Sequence, residues 1–169
     1  MNTKEFLEAL SNSSTVSAYE YRINDTIMHA FEKYTDESMV DNLGNVIGLK
    51  KGKNNPSNIK IMLAAHMDEI GLIVKFIEDN GFIRFTNIGG IDPRTILGQE
   101  IVVHGKKDLF GVIGSKPPHL QDASEINKAI KMEDMIIDLG YSKKELEGII
   151  DIGDPITIRR ELKSLQGDR

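Results

Sequence analysis

Hydrophobic positions change their period part-way along this chain. Residues Thr3–Leu10 predict a short helix that the "SNSS" cluster ends. From Ala18 to Tyr34 the apolar side chains of Ile23, Ile27, Ala30, Phe31 and Tyr34 recur at the spacing of one helical face. Ser17 is the expected N-cap of this second helix, and Glu20 three residues on completes a capping box. "SMVDNLGNVIGLKKG" predicts a strand–turn–strand, because Asn42, Gly44 and Asn45 tolerate positive φ. "KKGK" at 50–53, beside the turn-rich "NNPSN", reads as a solvated hairpin end. "NIKIMLAAH" is apolar on both faces and bounded by turn signals, which predicts a central strand buried between helices. A helix followed by a buried strand is the grammar of an α/β layer.

After Asp68 the pattern becomes short and alternating. "GLIVKFIEDNGFIRFTNIGG" predicts a hairpin turning at Asp79-Asn80-Gly81. "GQEIVVHG", "DLFGVIGSK", "MEDMIIDLG" and "DPITIRREL" predict further short strands, and "YSKKELEGII" a short helix capped by Ser142 with Glu145 reaching back. Many short strands punctuated by Gly and Pro point to a small barrel or closed sheet. The expected fold class is therefore α/β with a β-rich insert. Its expected divisions are residues 1–69 as α/β portion, 70–158 as β-rich module, and 159–169 as the start of a return to the first portion.

Composition narrows the chemistry. The 169 residues are 40% hydrophobic and 28% charged, the balance of a globular chain rather than a disordered one. With no cysteine, thiolate ligands and nucleophiles are excluded, so any metal must be held by His, Asp and Glu. The net charge of −5 argues against nucleic acid as a partner. The N-terminal "MNTKEFLEAL" lacks a signal-peptide pattern, and no stretch approaches the roughly 20 apolar residues that span a bilayer. The expectation is a cytoplasmic protein with no membrane partner.

The candidate chemistry lies where the apolar run Ile61–Ala65 stops at His66-Met67-Asp68-Glu69. At the carboxyl end of a buried strand, His66 would stand where open α/β sheets place ligand sites. Residues i and i+2 of an extended chain share a side, so His66 and Asp68 can share a pocket. A ligating imidazole needs a carboxylate or carbonyl partner to fix its tautomer. Taken alone the motif is weak, and His-x-Asp is more often a histidine that ends a strand and bonds a nearby carboxylate. Glu69 reads as a solvated turn residue, His29 as a surface residue, and His104 as a surface or packing residue.

"AAHMDEIGLIV" resembles the first metal-binding motif of the glutamyl and deblocking aminopeptidases, cocatalytic two-metal peptidases that include the tetrahedral enzymes. "VSAYEYRI" resembles that family's N-terminal signature, with Ala18 where a glycine is usual. "DNLGNVIG", "IGGIDPRTILGQEIVV", "GVIGSKPPHL" and "DLGYSKKELEGIIDIGDPITI" match later segments in order, so the resemblance covers almost the whole chain. It implies an α/β metallopeptidase core interrupted by a β-barrel-like module. It also implies aminopeptidase action on short peptides and two divalent ions per complete site, zinc, cobalt or manganese. By the same resemblance His66 is a metal ligand, Asp68 stands beside the metal in the catalytic centre, and His119 of "KPPHL" is structural or cavity-lining. The implied partners are a homo-oligomer or a complementary C-terminal half.

One departure qualifies this. The family's bridging aspartate, its Glu-Glu pair with the general base, its further acidic ligand and its distal histidine follow the β-module, and none is matched here. No Glu-Glu pair occurs in the chain. Catalytic zinc usually has three protein ligands, and a two-metal hydrolase needs a bridging ligand and a base as well. The expectation is an N-terminal fragment or half of a metallo-aminopeptidase, inactive by itself. The alternative is a truncated relic serving as an oligomerisation or peptide-binding module.

Overall fold

The computed structural model describes residues 2–53, 59–120 and 128–167, so "NNPSN" lies outside the described residues. Two compact units are present: residues 1–68 with 160–169, and residues 69–159.

In the first unit, α1 (Thr3–Ser11) starts at a capping box in which the Asn2 side chain accepts from Glu5 N–H and Glu5 reaches back to Asn2 N–H. The predicted second helix is shorter than its apolar spacing implies. A 3-10 turn covers Glu20–Ile23, and α2 proper runs over Asn24–Glu32. Ser17 does not cap it. Ala18 stands at φ 75°, outside the helical region, and this break stops the helix from reaching back to Ser17. Strands β1 (Glu37–Val40) and β2 (Val46–Leu49) pair antiparallel in the register Val40↔Val46. Asp41 organises their turn by accepting from Leu43 N–H and Asn45 N–H. α2 packs on this hairpin.

The expected central strand over Ile59–Ala65 is not formed. These residues are exposed, with Ile61, Met62 and Leu63 at 83%, 86% and 94%. A strand exists only through hydrogen bonds to a neighbour, and among the described residues β1 and β2 pair only with each other. An apolar run without a partner strand has nothing to fix its extended form.

The second unit is a closed antiparallel barrel, in the order β3-β4-β7-β6-β5-β8. Its strands are β3 (Gly71–Ile77), β4 (Ile83–Ile88), β5 (Glu100–His104), β6 (Asp108–Ser115), β7 (Met135–Asp138) and β8 (Pro155–Ile158). The β3–β4 hairpin turns at Asp79-Asn80-Gly81 as its sequence predicts, with Gly81 at φ 92°. Alternate positions point inward. Leu72, Ile83, Ile101, Val103, Ile137 and Ile156 are fully buried, and each such side chain contributes about 1.5–3 kcal/mol. Two short helices, α3 (Pro93–Ile96) and α4 (Lys143–Leu146), add Ile96 and Leu146 to the same core. Ser142 and Glu145 form the predicted capping box of α4. Closure removes the sheet edges that would otherwise invite pairing with other chains. Among the described residues, no helix is long and apolar enough to cross a membrane.

Candidate metal-ligand site around His66

His66 and Asp68 are brought together, though at the end of an irregular segment rather than a central strand. His66 Nδ1 lies 2.8 Å from the Asp68 carbonyl oxygen and 3.1 Å from Asp68 Oδ1. Both partners are acceptors, so Nδ1 must donate, and in the neutral ring the Nε2 lone pair is free. The imidazole is 84% exposed and the Asp68 side chain 37% exposed. The ion pair as such therefore adds little stability. Its value is directional: it orients the ring.

Asp68 is held from its other side by Ser17, whose hydroxyl donates to Oδ2 at 2.5 Å. The Ser17 hydrogen bond, assisted by His66 and opposed by partial desolvation, keeps the Asp68 carboxyl below its ordinary range. It is thus an anion, acceptor-only, at neutral pH. The sequence pattern marks Ser17 only as a helix cap. No local signal links it to a carboxylate 51 residues away.

Each of the other three histidines has its own setting. His29 is exposed, 3.7 Å from Glu32, and His119 is exposed in a 3-10 turn over Pro118–Leu120. His104 is a packing residue inside the second unit, 5% exposed and bonded to Asp108 and Thr157. Glu69 is half-buried rather than freely solvated.

The imidazole fits one ligand position: its tautomer is set by acceptors on Nδ1, which leaves the Nε2 lone pair on an exposed ring. A full coordination shell is a different matter. Among the described residues, no three His, Cys, Asp or Glu side chains are grouped so as to hold an ion.

The sequence model of the M42 glutamyl aminopeptidases matches residues 44–169. The chain belongs to the M42 glutamyl aminopeptidase family. It is 38% identical over 144 residues to the lysyl aminopeptidase of Pyrococcus furiosus, covering 83% of this chain and 40% of that protein. It superposes on the TET aminopeptidase of a marine sediment archaeon of the Thaumarchaeota with a TM-score of 0.89 and 34% identity, covering 98% of this chain and 46% of the other. The Pyrococcus horikoshii TET1 peptidase, which can assemble into a tetrahedron or a large octahedral shell, aligns at a TM-score of 0.81 and 34% identity over 98% of this chain and 49% of that one. The chain therefore spans less than half the length of these M42 relatives, and corresponds to their N-terminal portion.

Proposed function

We propose that this chain supplies the first metal ligand, His66, and the carboxylate that orients it, Asp68, to a metal-dependent aminopeptidase acting on short peptides. The observation that carries the reading is the pair of contacts from His66 Nδ1 to the Asp68 carbonyl and carboxylate, which leaves Nε2 free. In this reading residues 1–69 and 159–169 belong to the peptidase domain and residues 70–158 to its insert. Bound divalent ions, zinc, cobalt or manganese, supply Lewis-acid polarisation of a peptide carbonyl and a nucleophilic water at neutral pH. This chain's part is to present one neutral imidazole and to hold its ring plane fixed. The remaining ligands and the base come from a complementary C-terminal half, and the partner state is a homo-oligomer, as in the tetrahedral relative.

The test is reconstitution. Alone, the 169-residue chain should cleave aminoacyl-anilides no faster than background, since no positioned base activates a nucleophile. Adding a C-terminal half from an M42 relative should restore chelator-sensitive turnover, and His66→Ala should abolish most of it. Chelator-sensitive activity from the chain alone would sink the division of ligands proposed here. A competing reading is a non-catalytic oligomerisation or peptide-binding module, favoured by a barrel that closes on its own core. A folded reconstituted protein that remains silent would support it.

A further inference from the structure

We propose that Asn80 is a modification site. Its side-chain amide is lost by attack of the Gly81 nitrogen, and the β3–β4 turn governs when this happens and which product the barrel tolerates. No part of the peptidase reading is needed for it.

The reaction uses only the chain and water. The backbone nitrogen of Gly81, once deprotonated, attacks Asn80 Cγ. An N–Cγ bond forms, the Cγ–Nδ2 bond breaks and ammonia leaves. Water then opens the resulting five-membered succinimide at one of its two carbonyls. One opening gives aspartate with the original chain path. The other gives isoaspartate, whose chain runs through the side-chain carboxyl and is one atom longer. A side chain on the following residue hinders the attack, so glycine is the most permissive neighbour. Asn80-Gly81 is the sole Asn-Gly pair among the 169 residues.

Packing forces that pair on the turn. Gly81 stands at φ 92°, and a Cβ on it would lie 2.0 Å from the Tyr141 carbonyl oxygen. A side chain has no room there, so the turn keeps the unhindered nitrogen that makes Asn80 vulnerable. Asn80 itself is exposed, and water reaches it.

The closed turn holds the reaction back. Gly81 N–H donates to the Glu78 carbonyl at 2.9 Å, and Glu78 N–H donates to the Phe82 carbonyl at 2.8 Å. The attacking nitrogen keeps its proton while the first of these bonds stands. Asn80 Oδ1 is engaged as well, accepting from Phe82 N–H at 3.1 Å. Attack therefore waits on local opening of the turn. The two products then part. Aspartate still offers an oxygen to Phe82 N–H. Isoaspartate lengthens the chain inside the ring that the Gly81–Glu78 bond closes, so that bond and the seat of Gly81 against Tyr141 are lost.

The test incubates the 169-residue chain at mildly alkaline pH, folded and in guanidinium, and follows Asn80 by peptide mapping. Mass spectrometry reads the exchange of ammonia for water, and fragmentation separates aspartate from isoaspartate. Because hydrogen bonds of the turn must open first, the unfolded chain should react at Asn80 at least about tenfold faster than the folded one. Asn87, followed by Ile88, should stay intact in both as the hindered control. Refolded isoaspartate product should lose hydrogen-exchange protection at the Glu78 and Gly81 amides, whereas Asn80→Asp should keep it. Equal rates in the two states, or an unfolded chain that keeps its Asn80 amide, overturn the proposal. Loss of protection in Asn80→Asp overturns the division between products.

Discussion

His104 Nε2 and the Thr157 hydroxyl are hydrogen-bonded at 2.8 Å, tying the end of β5 to β8, 53 residues further along the chain. The other ring nitrogen donates to Asp108 Oδ1 at 2.9 Å, at the start of β6. One buried ring therefore bonds three strands of the barrel. His104→Ala should destabilise the second unit by about 2–4 kcal/mol, adding a cavity to two lost hydrogen bonds. Asp108→Ala, whose side chain is 64% exposed, should cost no more than about 1 kcal/mol. Urea denaturation followed by a barrel-specific signal separates the two.

Ala18 makes the opposite prediction. Its φ of 75° costs a non-glycine residue roughly 1–2 kcal/mol. Glycine relieves that strain but loses about 0.5–1 kcal/mol to its freer unfolded chain. Ala18→Gly should therefore raise stability by about 0.5–1 kcal/mol. A melting temperature lower than the parent's would show that Ala18 carries no such strain.

Gly81 and Gly98 separate strain from crowding. Both have positive φ, 92° and 77°. A Cβ on Gly81 would lie 2.0 Å from the Tyr141 carbonyl oxygen, whereas one on Gly98 would meet nothing within 4 Å. Gly98→Ala should cost only the dihedral strain, about 1 kcal/mol. Gly81→Ala must also push the β3–β4 turn away from Tyr141 and should cost about 2–4 kcal/mol. Equal losses from the two substitutions would contradict this.

Asp92 gives a pH-dependent prediction. Arg94 bonds it through both guanidinium and backbone N–H, and these contacts lower its carboxyl from 3.8 to about 2. A carboxyl whose folded value is depressed contributes stability above its unfolded value and loses it as pH falls through the folded one. The Asp92 contribution is therefore complete above pH 3.8 and lost as pH falls toward about 2. In a 13C titration Asp92 should show its midpoint near about 2, and Arg94→Ala should move it back toward 3.8. A midpoint unmoved by Arg94→Ala would exclude the guanidinium as the cause.

Local rules made much of the second unit legible. The alternation in "GLIVKFI" and "FIRFTNI", the glycine at the Asp79-Asn80-Gly81 turn and the Ser142/Glu145 box each specify structure within a few residues, and the structure follows them. The juxtaposition of His66 and Asp68 was legible for the same reason, since residues two apart reach one side of an extended backbone. The family was legible because its motifs occur in order along the chain.

What the sequence alone determined, then, is where the strands and turns of the β-module occur, that the chain is α/β with a closed β-module, and which two side chains meet at the end of the apolar run. Tertiary structure decided the rest. β8 inserts between β3 and β5 although most of the module separates it from β3 in sequence, because closing the barrel satisfies both exposed edges at once. Ile59–Ala65 has a strand's composition and no strand, because a ladder needs a second backbone that composition cannot supply. Ser17 reads as a helix cap, yet its hydroxyl goes to Asp68. A single donor with two candidate acceptors is assigned by where the chain brings them, and that is settled only in three dimensions.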